Sequence, residues 1–238
     1  MKLDILVLAA HPDDAELGCG GTIAKHVALG KRVGIIDLTR GELGTRGTAA
    51  LRDKESEESS KILGLSVREN LNFKDGFFEN DEAHQKSLIS LIRKYRPETV
   101  LANAVTDRHP DHPKGAALAY SACFLSGLPK IESESDGAKQ EAWRPKFFYN
   151  YIQSQLLVPD FVVDVSDYWE KKMQAIRAFK SQFFDPSSKE PETFISSEGF
   201  MKMLEARGVE LGHSVGARYG EGFTAHRTIG INTLADIR

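Results

Sequence analysis

With 238 residues, 41% hydrophobic and 27% charged, the chain has the make-up of an ordinary soluble protein, long enough for one large α/β domain or one domain with an appendage. A net charge of −3 and a pI near 6.2 exclude nucleic acid as the main partner, which would need a basic face. No apolar run reaches membrane-spanning length, the start lacks a signal-peptide pattern, and two cysteines, Cys19 and Cys123, are too few for a disulfide framework or a thiolate zinc site, so a cytoplasmic protein with reduced thiols and no membrane partner is expected.

The chain opens on Ile5-Leu6-Val7-Leu8-Ala9-Ala10, an apolar run suited to a strand buried on both faces of a parallel sheet. It stops at His11-Pro12-Asp13-Asp14. The glycine-containing steps Gly18-Cys19-Gly20-Gly21 follow, and a helix is expected over 22–29, stopped by Gly30. Neither these glycines nor the glycine-rich stretch 39–48 matches a dinucleotide or Walker pattern. Residues 33–38 form a second strand, parallel to the first through a right-handed crossover. A charged helix spans 49–63 and ends at Gly64; its run 52–58 reads as a solvated face, the alternative being that Arg52, just past the glycine-rich loop, points into a site. Strand 67–73, helix 81–95 and strand 99–103 follow. Directly after comes a second cluster, Asp107-Arg108-His109-Pro110-Asp111-His112-Pro113, and then a helix over 116–125.

The stretch 126–145 is polar and reads as a mobile surface loop over a site or an interface, since a structureless connection of that length is unusual in a compact domain. Strands are expected over 146–152 and 161–165, and helices over 168–184 and 199–207. The glycine-rich tail 212–223 reads as loop. The fold class is therefore α/β: a Rossmann-like three-layer arrangement with a mostly parallel central sheet. One domain covers 1–238, with 1–125 carrying the metal motifs and 126–238 completing the walls. In such sheets ligands bind beyond the carboxyl ends of the strands, where both His-Pro-Asp clusters fall.

A lone Asp-Asp before a helix would ordinarily cap it. Two His-Pro-Asp triplets, each directly after an apolar strand, point to chemistry instead. His11, Asp14 and one of the imidazoles His109 or His112 make a two-histidine, one-carboxylate set, which suits catalytic zinc with a place left for water and equally suits Fe(II). A free carboxylate beside the metal can relay a proton, and a second imidazole can stabilise a developing oxyanion.

These motifs, Ala10-His11-Pro12-Asp13-Asp14-Ala15-Glu16 and His109-Pro110-Asp111-His112, resemble those of the LmbE-like (PIG-L) family of zinc-dependent N-deacetylases. Within it the chain looks most similar to the bacillithiol-biosynthesis deacetylases, which remove acetate from N-acetylglucosaminyl-L-malate. That closer likeness rests on Asp37-Leu38-Thr39-Arg40-Gly41-Glu42, Leu51-Arg52, Asp107-Arg108-His109, Phe148-Tyr149-Asn150-Tyr151 and Tyr219-Gly220-Glu221-Gly222-Phe223. The resemblance implies Zn²⁺, with Fe²⁺ as the alternative in the cell, on His11, Asp14 and His112. It implies Asp13 as general base and then acid, His109 as electrostatic stabiliser, and Asp111 as the group that orients His109. It makes Arg52 and Arg108 candidates for an acidic aglycone and Tyr219 for a contact near the scissile amide. It also implies a small-molecule amino-sugar substrate and a homo-oligomer, a hexamer. Ser59-Ser60 departs from the small apolar residues of relatives, a matter of helix packing. The competing expectations are a deacetylase of another N-acetylglucosamine conjugate or a chitin-type oligosaccharide, a nucleotide-binding Rossmann-like module, and a non-catalytic metal-binding relative.

Overall fold

A computed structural model describes residues 1–135 and 137–236, so Asp136 of the expected 126–145 loop lies outside the described residues. Strand β1 (Ile5–Ala9) is buried along its whole length, as is β2 (Val33–Thr39). With β3 (Val67–Phe73), β4 (Thr99–Ala102), β7 (Phe147–Tyr151), β8 (Phe161–Asp164) and β9 (Gly220–Ala225) they make a seven-stranded sheet ordered β3-β2-β1-β4-β7-β9-β8. The first five in that order run parallel; β9 is antiparallel to both β7 and β8. The mostly parallel sheet expected from the buried apolar runs is thus observed.

Side chains alternate across a strand, so β1 feeds two cores. Leu6, Leu8 and Ala10 pack with helices α3 (Glu82–Tyr95) and α4 (Asp111–Leu125). Ile5, Val7 and Ala9 face the opposite layer, with α1 (Asp14–Ala28), α2 (Ala49–Leu63) and α5 (Trp169–Arg177). A third apolar cluster joins α5 to α6 (Glu198–Ser214) through Trp169, Met173, Phe200 and Leu204. The three layers follow from these faces.

Helix α2 and strand β3 match their expected spans, and Gly64 closes α2 in the left-handed region (φ 76°). Other boundaries differ, for physical reasons. Helix α1 begins at Asp14, not near Thr22, and runs through the glycines. Those glycines serve contact, not turning: a Cβ on Gly18 would lie 2.1 Å from the Tyr151 ring, and one on Gly21 2.7 Å from Val165. The helix breaks locally at Cys19 (φ −145°, ψ 22°). The break frees the Gly21 and Thr22 N–H groups, which donate to the Glu221 carboxylate at 2.9 and 2.7 Å, and the Leu17 carbonyl, which accepts from Lys172 Nζ at 2.9 Å. Lys172 and Glu221 pair at 2.6 Å, so one buried ion pair satisfies both sides of the interruption.

Helix α4 starts at Asp111, five residues before the expected 116, because Pro113 falls in the first turn, where its missing N–H costs nothing. Helix α5 is shorter than 168–184 and α6 longer than 199–207. The tail read as loop contains β9, a central antiparallel strand. Its glycines allow α6 to approach: a Cβ on Gly212 would meet the Tyr219 backbone at 2.7 Å. The segment 126–145 holds a short hairpin, β5 (Glu134–Ser135) and β6 (Ala138–Lys139), and is pinned by the Arg93 guanidinium on the carbonyls of Ser126, Leu128 and Ile131. Its described residues line no part of the cavity discussed below, contrary to the expectation that it overlies a site.

Candidate active site

A cavity of about 340 Å³ opens beyond the carboxyl ends of the parallel strands, and His11, Asp13, Asp14, His109 and His112 line it. The β1–α1 turn and the first residue of α1 supply the first three; the loop entering α4 supplies His109 and the first turn of α4 supplies His112. Asp13 has φ 116°, a left-handed conformation that Asp tolerates better than most side chains. It occupies the N-cap position of α1, yet its side chain makes no capping hydrogen bond. Its carboxyl group is buried and has no hydrogen-bond partner among the described residues. Burial pushes it up to about 7, against the Arg52 charge and with the help of Asp14. The capping explanation for this residue therefore fails: Asp13 is a strained, desolvated carboxyl group facing a cavity.

Asp14 is held quite differently. Its Oδ2 accepts from the His11 backbone N–H (2.9 Å) and Asn103 Nδ2 (3.0 Å), and its Oδ1 from Gln153 Nε2 (2.9 Å). The same carboxylate lies 3.4 Å from His11 Nδ1 and 3.1 Å from His112 Nε2. Burial opposes its ionisation, but the two imidazoles outweigh that and hold it well below the usual carboxylate range. One environment thus keeps a carboxylate charged while its neighbour takes a proton near neutrality, the separation that acid–base chemistry needs.

The far nitrogen of each imidazole is also held. His11 Nε2 lies 3.0 Å from Asp75 and 3.4 Å from Asp111, and His112 Nδ1 lies 2.5 Å from Asp107. For His112 burial works against the cation, but Asp14 and Asp107 raise it to about 9. Burial likewise opposes charge on His11, and the hydrogen bonds to Asp111, Asp14 and Asp75 overcome it. Carboxylates that fix the rings from behind are the arrangement found around metal-ligating histidines. The ring nitrogens of His11, His109 and His112 come within 4.8 Å of one another. This donor chemistry, two or three imidazoles beside an anchored carboxylate, fits a divalent cation.

His109 is half-buried, its ring edge-on to His11 and stacked on His112. Burial first, then the charges on His11 and His112, keep it below the usual imidazole range. The Asp111 backbone N–H donates to His109 Nδ1 at 3.2 Å. The Asp111 carboxylate points elsewhere, to His11, the Gly76 N–H (2.8 Å) and Lys114 (3.1 Å). Arg52 is buried, lines the cavity and donates to Gln182 Oε1. Arg108 lines it from the surface, with its guanidinium over the Phe194 ring at 4.3 Å. Tyr219 does not line the cavity. Its ring stacks on Trp169, which does, and its hydroxyl donates to Glu205 at 3.3 Å. Ser59, read as a packing detail, donates to the buried Glu16 at 2.6 Å.

Three residues were not singled out by sequence reasoning, Asp75, Asn103 and Gln153, and Asp107 was named in the second cluster without a role. Each follows the carboxyl end of a parallel strand (β3, β4, β7 and β4), so strand position was the signal that could have found them.

Fold and site together define an α/β protein with a histidine–carboxylate centre suited to hydrolysis. Residues 6–123 match the family PIG-L, described as GlcNAc-PI de-N-acetylase. The chain is 33% identical to diacetylchitobiose deacetylase of Thermococcus kodakarensis over 192 residues, 75% of this chain and 70% of that one. It is 27% identical to a Bacillus anthracis protein named probable N-acetyl-alpha-D-glucosaminyl L-malate deacetylase 2, over 75% of this chain and 81% of that one. The crystal structure of the conserved protein TT1542 from Thermus thermophilus superposes with a TM-score of 0.87 at 36% identity, covering 98% of both chains. The chain belongs to the PIG-L family of de-N-acetylases and is an enzyme of that family.

Proposed function

We infer that this enzyme hydrolyses the N-acetyl group of an N-acetylglucosaminyl conjugate, and that N-acetylglucosaminyl-L-malate is its preferred substrate. The observation that carries the reading is the Asp13 carboxyl group, desolvated, without a hydrogen-bond partner among the described residues and raised to about 7, beside the His11–Asp14–His112 cluster. We assign zinc to His11, Asp14 and His112. When bound there, it supplies Lewis-acid polarisation of the amide carbonyl and acidifies a water molecule. Asp13 takes the proton of the attacking water and returns it to the departing amine. The proton of neutral His109 resides on Nε2, because Nδ1 accepts from the Asp111 N–H. His109 therefore donates toward the carbonyl oxygen as negative charge develops. Arg52 and Arg108, both on the cavity wall, complement an acidic aglycone. The likeness to the malate-conjugate deacetylase supports this preference, and the likeness to the chitobiose enzyme supports the amino sugar.

The deciding experiment incubates the zinc-loaded protein with N-acetylglucosaminyl-L-malate, N,N′-diacetylchitobiose and N-acetylglucosamine, scoring free amine by mass spectrometry. The malate conjugate should give the highest kcat/KM. Higher kcat/KM on diacetylchitobiose would move the assignment to a chitin-type substrate. We further place the enzyme in the cytoplasm as a homo-oligomer, a hexamer; sedimentation as a monomer at micromolar concentration contradicts that assembly.

A further inference from the structure

The cavity has two chemically unlike sides. On one, the segments that follow β2 and β3 present Arg46, Arg52 and Asp75, while Arg108 lies at the seam, over Phe194, whose ring meets Phe200 edge-on. On the other, α1, α5 and α6 present Leu17, Trp169, Phe200, Met203, Leu204 and Leu211. The α6 residues recur at helical spacing, so one whole face of that helix forms the wall. Leu17 and Met203 pack against the third core cluster, to which Trp169, Phe200 and Leu204 belong, so the wall is the open flank of an apolar core. Two of the charged groups on this side, Lys172 and Glu221, are committed to each other. They also satisfy the broken backbone of α1, whereas Arg207, on the same face of α6 as Met203 and Leu211, gives one N–H to the Gln153 carbonyl and marks the polar edge of the wall.

The reacting centre lies between the two sides. His11 touches Asp75 on the polar side (3.0 Å). Asp13 is followed one helical turn later by Leu17, whose N–H donates to the Asp13 carbonyl (3.0 Å), and Asp14 touches Gln153, next to Ile152, which follows β7 and also lines the cavity. A substrate amide placed at Asp13 with its sugar among the polar groups directs its acyl group at the apolar wall.

Resting on the amidohydrolase reading above, we propose that this wall is an acyl compartment and that the enzyme also hydrolyses N-acyl glucosamine conjugates with unbranched chains of four to six carbons. Water adds to the acyl carbon, the C–N bond breaks, the proton goes to the amine, and the products are the longer carboxylate and the free amino sugar.

The test is a series of glucosamine conjugates of one aglycone, N-acetyl, N-butanoyl and N-hexanoyl, with amine release measured on the zinc-loaded protein. The expected kcat/KM rises from acetyl to butanoyl on the order of threefold per added methylene, the worth of burying one such group. Met203→Trp, which fills the compartment, should lower the ratio of butanoyl to acetyl kcat/KM, and Met203→Ala should shift the optimum to a longer chain. Calorimetry on the zinc-free protein gives a readout without turnover: N-hexanoyl should bind more tightly than N-acetyl, with a more negative heat-capacity change. A flat or falling profile in wild type and in Met203→Ala, with acetyl still cleaved, overturns the compartment and leaves the deacetylase reading standing. No amine from any member overturns both.

Discussion

Asp13 and Asp14 are neighbours in sequence with opposite electrostatics. Asp14 accepts three hydrogen bonds and faces two imidazoles; Asp13 accepts none among the described residues and stands in a left-handed backbone. Asp13→Asn keeps the shape, and asparagine is at home at positive φ. It removes only the capacity to take a proton. Zinc content should stay at wild-type level while kcat falls on the order of 10²–10⁴-fold, and the acidic limb of the pH–rate profile should disappear. Full zinc and wild-type turnover in the Asp13→Asn variant would put the base elsewhere. The two triplets were legible because His-Pro-Asp after an apolar strand is a rare pattern with a chemical reason. Asp75, Asn103 and Gln153 were not, because a single polar residue after a strand looks like any loop residue until the fold aims it at His11 or Asp14.

At the scale of elements, the sequence was read well where local signals and packing agree, as in α2 with its Thr48 cap and Gly64 stop. It was misread where glycine serves close approach. The glycines of α1 and β9 carry the chemical signature of turns, but the partners that require those of α1 are more than a hundred residues away: Tyr151 and Val165, with Glu221 reaching back across the break at Cys19. Two predictions separate these roles. Gly212→Ala sets a Cβ 2.7 Å from the Tyr219 backbone, which cannot swing aside, so the variant should lose about 2 kcal/mol or more in denaturant unfolding. Gly20→Ala meets only Lys172, nearest at Cγ 3.2 Å away, and its gain in helix propensity offsets the contact, so its stability should stay within about 0.5 kcal/mol of wild type. The reverse order would mean that the Lys172 side chain at Gly20 yields less readily than the Tyr219 backbone at Gly212. The ion pair at the break is tested by Lys172→Met, which strands a buried carboxylate and should cost about 3–5 kcal/mol. Adding Glu221→Gln should recover part of that loss, since it removes the stranded charge and its amide oxygen still accepts from one of the two N–H groups, Gly21 or Thr22. Strictly additive losses in the double variant would show that the two side chains are not coupled.

For the whole molecule, the histidine–carboxylate cluster joins the carboxyl ends of strands β1, β4 and β7, through His11 and Asp14, through Asn103 and His112, and through Gln153. Its protonation therefore bears on global stability. In the metal-free protein the folded-state values of His11 and His112 are raised, His112 to about 9. Their stabilising contribution is complete below the unfolded imidazole value of about 6.5 and is lost as pH rises through about 9. Asp13, raised to about 7 by burial, acts with the same sign at lower pH: the folded state holds a proton that the unfolded chain has released, so stability falls as pH rises from about 4 to 7. Zinc requires neutral imidazoles and displaces their protons, so its affinity should climb over the window in which the metal-free protein weakens. Saturation at about a thousand times Kd adds about 4 kcal/mol. At a fixed total zinc concentration, the rise in Tm on adding zinc should thus be larger at about pH 8.5 than at about pH 6.5, and chelator should reverse it at both. Calorimetry at about pH 7 in two buffers of different ionisation enthalpy should count about two protons released per zinc. His112→Ala should shrink the Tm shift at either pH, because the two ligands left of the proposed set would hold zinc poorly. A zinc-induced shift of equal size at both pH values, with no proton release, would mean that the cation binds somewhere other than this pair of histidines.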